Sequence, residues 1–196
     1  LIRAIAYLDN IYLWIAGEGP LKNDLRKLVS DLKLDDRVRF LGWREDINAL
    51  LSSADMFVCP SRHEPLGNVV LEAWSQNTPV IASAAQGPKQ LINDGENGLL
   101  VPIDDYSTLA EKISYLIREN GLRKSITENA HQEYLKNFSQ KKIVDEYKEF
   151  LNLHTYAHKN FIKINKGSHH QKDIAFKGNS LLPHITFIKK LIKDYK

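Results

Sequence analysis

Residues 56–83, with the sequence MFVCPSRHEPLGNVVLEAWSQNTPVIAS, decide the fold that we predict for this chain. They contain two short apolar segments, Met56–Cys59 and Pro79–Ala82, and each has the length of a buried strand. Residues 69–74 lie between these segments and have the composition and the single apolar face of a helix. A strand, a helix and a strand in this order predict two parallel strands joined by a helical crossover.

The same alternation of strands and helices continues in both directions from this unit. We predict further strands at Ile11–Ala16, Val38–Leu41 and Gly98–Val101, because each is a short apolar run next to a Gly or Pro. Helices are predicted where apolar residues recur at helical spacing, namely around Leu21–Leu32, Ile47–Leu51 and Leu109–Leu116, and from there to about residue 150. Asp104-Asp105 can cap the third of these helices.

The predicted strands are apolar on both faces, which is expected when helices cover both sides of a parallel sheet. We therefore expect an α/β protein with a Rossmann-like parallel sheet and helices on both faces. Trp14 and Trp74 are expected in its core, and the single cysteine, Cys59, is expected to be a small buried residue. One cysteine excludes an internal disulfide framework and a cysteine-rich zinc site.

The loops that follow the strands are the candidate ligand site, because ligands of such sheets bind beyond the carboxyl ends of the strands. Small residues crowd four of these loops, at residues 17–20, 42–44, 60–67 and 83–88. Any one of them is explained by an ordinary tight turn between a strand and a helix. The third loop differs from the others because it carries Glu64 and leads into a helix that carries Glu72.

The pair Glu64 and Glu72 has two explanations. The helix is predicted to begin near Gly67 with Asn68 as its N-cap, and free amides at such an end favour a phosphate. Glu72 then lies about one turn into an apolar helix, where a carboxylate needs a partner such as the two hydroxyls of a ribose. A loop glutamate and a glutamate that complements the helix dipole explain the same spacing, and the residues alone leave both readings open.

The segment with the two glutamates resembles the signature of the retaining glycosyltransferases of family four, which have the GT-B architecture. The resemblance covers residues 1–151 and extends to further motifs in the same order, which are GEGP (17–20), VRFLG (38–42), ADMFVCPS (54–61), NTPVIAS (77–83) and NDGENGLLVP (93–102). The motif QGPKQLI (86–92) is most similar to bacterial enzymes that build lipopolysaccharide or other cell-envelope glycans.

The resemblance implies a donor-binding, C-terminal half of GT-B architecture in residues 1–151. Such an enzyme transfers a sugar from a UDP- or GDP-linked nucleoside diphosphate sugar to a glycan or lipid-linked acceptor with retention, and the resemblance implies no metal or other cofactor. It assigns Glu64, the catalytic candidate, to the transferred sugar and Glu72 to the ribose. The remaining residues that it assigns to the nucleotide sugar are Leu66, Gly67, Asn68, Val69, Gly17, Gly19 and, through their backbone at the base, Phe40 and Leu41.

The resemblance also implies parts that these residues do not supply. The family places an Arg and a Lys on the diphosphate, in a strand and loop before the first helix, whereas residues 2–8 already read as that helix. We therefore expect the first strand and the acceptor domain to come from a missing N-terminal domain or a partner chain. The isolated chain is expected to be poorly active or inactive, and the alternative is an inactive fragment that retains only nucleotide binding.

Residues 152–196 differ in charge from the rest of the chain. They contain nine lysines and two acidic residues, whereas residues 1–151 contain 18 basic and 22 acidic residues, so the body does not favour nucleic acid as a partner. We expect this basic tail to be disordered or partly helical, or to contact phosphates or an anionic membrane surface. The expected location is the cytoplasm, with the tail at the inner face of the membrane.

Overall fold

The structure is a computed structural model that describes residues 1–152 of the chain. Residues 1–147 form one compact unit, and the described part of the second unit, residues 148–152, is helical. The predictions for residues 153–196 lie outside the described part, and the predicted boundary after residue 151 stays a prediction. Within residues 1–152, no helix combines the length and the apolar character that a membrane span requires.

Helices and strands alternate along the described chain. The strands are β1 (Leu13–Ala16), β2 (Val38–Gly42), β3 (Phe57–Cys59), β4 (Val80–Ser83) and β5 (Leu99–Val101). The helices are α1 (Ile2–Ile5), α2 (Lys22–Asp31), α3 (Ile47–Ser53), α4 (Asn68–Ser75), α5 (Gln86–Leu91), α6 (Tyr106–Arg118) and α7 (Asn120–Asn137), and residues 140–152 are helical as well.

The predicted strands and helices are confirmed, with small differences at their ends. The structure adds α5, which the sequence did not indicate because Gly87 and Pro88 usually lie in loops; in the first turn of a helix, however, a proline is tolerated. The predicted N-cap of α4, Asn68, is wrong by one residue. Gly67 is the N-cap, because the chain enters this helix through a left-handed conformation that favours glycine.

All described strand pairs are parallel, and they form two sheets. The first sheet pairs β1 with β2, and the second has the order β3-β4-β5. The Rossmann-like α/β prediction is confirmed, except that the strands do not join into one sheet. Among the described residues, no strand pairs with the second edge of β1 or of β3.

The second sheet is covered by helices on both faces. Side chains alternate along its central strand, β4, so that Ile81 packs into one cluster while Val80 and Ala82 pack into another. Residues of α1 and α6 complete the first cluster, and residues of α3, α4 and α7, including the fully buried Trp74, complete the second. This packing positions the start of α4 beside the carboxyl end of the sheet.

The first sheet is covered on one face by α2. Leu13 and Ile15 of β1 point to that helix, whereas Trp14 is 49% exposed and Ala16 is also exposed. The expectation that Trp14 lies in the core is therefore wrong. The reason is that only one face of β1 is packed, so alternate side chains of this strand reach solvent.

Candidate functional site

The loop after β3 holds Glu64 against the start of α4. Gly67 has φ +75°, a left-handed conformation, and its N–H donates to Oε1 of Glu64 at 3.0 Å. The carbonyl of Gly67 accepts from the N–H of Val70 at 2.9 Å, which closes the first turn of the helix. The half-buried side chain of Glu64 is thus fixed by the turn from which α4 begins.

The start of α4 retains hydrogen-bond donors for a ligand. The amides of Asn68 and Val69 precede the first intrahelical hydrogen bond, so neither has an acceptor within the helix. These amides and the helix dipole favour negative charge at this end. The negatively charged carboxylate of Glu64 already lies at this end, where it accepts a hydrogen bond from the amide of Gly67.

Glu72 lies on the exposed face of α4. Asn68 and Glu72 are four residues apart and both are exposed, so they lie on the same side of the helix. The burial cost expected from the sequence does not arise, because solvent reaches this carboxylate. Glu64, Leu66, Gly67 and Asn68 therefore lie at the start of α4, and Glu72 lies one turn further along the same helix.

Gly87, at the start of α5, contacts the same loop. Its N–H donates to the carbonyl oxygen of Glu64 at 2.7 Å. A Cβ atom at position 87 would lie 2.4 Å from the nitrogen of Gly67. Gly87 was expected in a loop rich in small residues, and nothing in the sequence indicates that it meets residues 64–67, because the contact joins segments that follow different strands.

The predicted nucleotide residues of the first sheet form a second group. The N–H of Gly17 donates to the carbonyl of Gly42 at 2.7 Å, which joins the loops that follow β1 and β2. Gly19 lies exposed in the first of these loops, and Phe40 and Leu41 are half-buried residues of β2. The predicted site residues therefore lie at the carboxyl ends of two separate sheets.

Two arginines at these carboxyl ends are paired with aspartates. Nε of Arg62, in the loop with Glu64, lies 2.7 Å from Oδ1 of Asp104 in the loop after β5. Arg44, after β2, contacts Asp46 at 2.6 Å, and this hydrogen-bonded pair lowers the pKa of the Asp46 carboxyl. Exposed pairs of this kind contribute little to stability, but they occupy the guanidinium groups. The sequence did not predict the Arg62 pair, because its partner is remote along the chain.

Between residues 1 and 152, no three His, Cys, Asp or Glu side chains come together as a metal site would require, and the expectation that no metal takes part stays a prediction. Cys59 is buried, as predicted, and its Sγ lies 3.5 Å from Oγ of Ser61.

The chain matches known proteins across most of its described length. A family model described as glycosyl transferases group 1 matches residues 1–133. The lipopolysaccharide core biosynthesis glycosyltransferase LpsE of Rhizobium meliloti is 43% identical over 151 residues, which are 77% of this chain and 44% of that protein. The chain thus spans less than half the length of this curated relative.

Solved structures share the same fold. Anabaena Alr3699/HepE, solved with UDP and also with UDP-glucose, is 29% identical to this chain. The UDP complex matches this chain with a TM-score of 0.73. The match covers 78% of this chain and 44% of the Anabaena protein. The C-terminal domain of the group 1 family protein LpcC from Francisella tularensis is 27% identical, with a TM-score of 0.66 and coverage of 71% of this chain and 77% of that domain.

Proposed function

This chain belongs to the group 1 glycosyltransferases, and we propose that it is the C-terminal, donor-binding half of an enzyme that transfers a sugar with retention. The donor is a nucleoside diphosphate sugar, and the acceptor is a glycan or a lipid-linked sugar. The observation that carries this proposal is the cluster at the start of α4, where Glu64, two unused helix amides and Glu72 lie around one turn.

The first turn of α4 suits a ligand whose anionic group lies between two parts that carry hydroxyls. The amides of Asn68 and Val69 can donate to diphosphate oxygens, and Glu72 on the same face can accept hydrogen bonds from ribose hydroxyls. Glu64, on the other side of the amides, can accept hydrogen bonds from hydroxyls of the transferred sugar. This order of contacts matches the order of groups in a nucleotide sugar.

The proposed reaction breaks the bond between the anomeric carbon and a diphosphate oxygen, and it forms a bond from that carbon to an acceptor hydroxyl. The nucleoside diphosphate leaves with the bonding electrons and added negative charge, which the amides and the helix dipole stabilise. The carboxylate of Glu64 stabilises the positive charge that develops on the sugar, and the acceptor proton goes to the leaving diphosphate. No step of this proposal requires a metal ion.

The loops of the first sheet are proposed to hold the nucleoside. The backbone of Phe40 and Leu41 would read the edge of the base, with Gly17 and Gly19 allowing a close approach. The Anabaena relative that was solved with UDP and UDP-glucose supports a uridine nucleotide, and a guanosine nucleotide is the second candidate.

The site is proposed to be completed by further protein. Arg62 and Arg44, the arginines next to the two groups of site residues, face Asp104 and Asp46, and we propose that further cations from the missing protein meet the diphosphate. In addition, β1 and β3 each have an unpaired edge among the described residues, and side chains of both strands, Leu13 and Val58, pack against the same cluster. We infer that one further parallel strand, from a preceding domain or a partner chain, joins the two sheets and brings the acceptor site.

The biological role is proposed from the name of a similar protein. LpsE is named for lipopolysaccharide core biosynthesis, and this supports a role in lipopolysaccharide or another cell-envelope glycan. A nucleotide-sugar donor places such an enzyme in the cytoplasm, and a lipid-linked acceptor places it at the inner face of the membrane.

Calorimetric titration with UDP and UDP-glucose tests the donor site. We expect the chain to bind both ligands, and we expect Glu64→Gln to weaken UDP-glucose about tenfold while leaving UDP unchanged, because only the sugar contacts this carboxylate. Absence of binding to UDP, UDP-glucose and their guanosine counterparts would contradict the proposal. Robust sugar transfer by the isolated chain would contradict the proposal that the chain is only half of the enzyme. Nucleotide binding without sugar transfer, even after the missing domain is supplied, would favour an inactive nucleotide-binding fragment.

A further inference from the structure

The backbone of Glu64 is fixed as firmly as its side chain. The carboxylate accepts the N–H of Gly67 at 3.0 Å, and the carbonyl accepts the N–H of Gly87 at 2.7 Å. Gly67, the N-cap of α4, and Gly87, in the first turn of α5, are both buried. Glu64 is thus held between the turn that begins α4 and the turn that begins α5.

Only glycine fits at position 87. A Cβ atom there would lie 2.4 Å from the nitrogen of Gly67, 2.5 Å from the carbonyl carbon of Leu66 and 2.7 Å from the carbonyl oxygen of Glu64. All three are backbone atoms, which cannot rotate away as the end of a flexible side chain can. The contact is mutual, because a Cβ atom at Gly67 would lie 3.2 Å from the carbonyl carbon of Gly87.

If a side chain at position 87 displaced this contact, Glu64 would move more than Glu72. Residues 64–67 would have to move, and the carboxylate of Glu64 would move with them. Glu72, in contrast, is followed directly by Ala73 and Trp74, which are fully buried and anchor its turn of α4 in the core. A side chain at position 87 would therefore shift the glutamate proposed to face the sugar more than the one proposed to face the ribose.

We propose that Gly87 is a positioning residue that sets Glu64 for contact with the transferred sugar of the donor. It acts through the backbone of residues 64–67 and does not itself touch the sugar. The structural half of this inference, that Gly87 fixes residues 64–67, follows from the contacts alone. The other half, the effect on sugar binding, rests on the proposed function.

Titration of Gly87→Ala with UDP and UDP-glucose tests the consequence for the sugar. We expect the variant to bind UDP-glucose about tenfold more weakly and to lose a smaller factor in affinity for UDP, whose diphosphate meets the Asn68 amide next to Gly67. Gly121→Ala is the matched control, because a Cβ atom at this position meets no atom within 4 Å. Equal weakening of the two ligands, or no weakening of either, would overturn the inference.

Nuclear magnetic resonance tests the structural half without any ligand. Gly87→Ala should shift the amide protons of Glu64, Leu66 and Gly67, which the added Cβ atom displaces, and should leave those of Ala73 and Trp74 nearly unchanged. Gly121→Ala should shift neither set. Unshifted amides of Glu64 and Gly67 in Gly87→Ala would overturn the inference, even if the chain bound neither nucleotide and the proposed function failed.

If Gly87→Ala does not fold, hydrogen exchange of the unmodified chain tests the contact between Gly87 and residues 64–67. The amides of Gly67 and Gly87 should exchange slowly and at related rates, because both open only when residues 64–67 leave their place. Exchange of the Gly87 amide at the rate of an exposed loop would overturn the inference.

Discussion

Glycines with similar backbone angles have different roles in this chain. Gly67 and Gly95 have φ values of +75° and +83°, which L side chains adopt at a cost. At Gly95 a Cβ atom would meet nothing within 4 Å, whereas at Gly67 it would lie 3.2 Å from the carbonyl carbon of Gly87 and 3.4 Å from the nitrogen of Pro88, which are backbone atoms. Conformation alone requires glycine at position 95, and conformation together with packing requires it at position 67.

The two glycines predict different losses of stability on substitution by alanine. Gly95→Ala should lower the free energy of unfolding by about 1–2 kcal/mol, the cost of a left-handed residue with a Cβ atom. Gly67→Ala should lower it by about 3 kcal/mol or more, because overpacking adds to that cost. Urea denaturation of the two variants and the wild type measures the difference, and equal losses would show that Gly67 is not closely packed.

The sequence could identify Glu64 and Glu72 but not the contacts that fix them. Residue types and their spacing are local, so the loop, the helix and the acidic pair were all predictable. The hydrogen bond from Gly87 to Glu64 and the pair of Arg62 with Asp104 join loops after different strands. Their existence depends on how the loops meet in space, which no local pattern encodes.

The start of α6 is a helix end whose chemistry the sequence predicted, unlike the start of α4. Asp105, expected to cap the helix around Leu109, is the N-cap of α6. Its Oδ1 accepts the N–H of Thr108 at 2.9 Å, and its Oδ2 accepts the hydroxyl of Thr108 at 2.7 Å. These two hydrogen bonds from Thr108 hold the pKa of the Asp105 carboxyl below its ordinary value, and the bond from the hydroxyl is the larger cause.

The lowered pKa of Asp105 predicts a loss of stability in acid. Because the folded value lies below the unfolded one, the contribution is complete above the unfolded pKa of about 4 and is lost as the pH falls through the folded pKa. Asp105→Asn retains a cap but should reduce the dependence of the free energy of unfolding on pH in this window. Urea denaturation at several pH values measures this.

Thr108→Ala serves as the control for Asp105→Asn. It removes the hydroxyl, the larger cause of the lowered pKa, and leaves the backbone donor in place. Its acid dependence should therefore fall between those of the wild type and Asp105→Asn. An unchanged acid dependence in Asp105→Asn would contradict the role of this cap.

Strands were easier to predict than the faces that they bury. Residues 80–82 are buried at every position, as their continuous apolar character indicated. Residues 13–16 are equally apolar, yet alternate side chains of β1, Trp14 among them, are exposed. Whether a strand is covered on one face or two depends on its neighbours in the sheet, and hydrophobicity along one segment does not contain that information.

The molecule as a whole divides its proposed site between two parallel sheets. The loops of β1 and β2 carry the residues proposed for the nucleoside, and the start of α4 carries those proposed for the ribose, diphosphate and sugar. We therefore expect a nucleotide-binding chain in which Glu72, on the helix that follows β3, binds the ribose.

Titration of the wild type and of Glu72→Ala with UDP tests this claim most directly, with Glu111→Ala, an exposed glutamate on α6, as the matched control. The account predicts that Glu72→Ala raises the dissociation constant for UDP by about tenfold or more, from the loss of roughly 1–3 kcal/mol of hydrogen bonding to a charged group, and that Glu111→Ala leaves it unchanged. Equal affinity of all three proteins for UDP would contradict it.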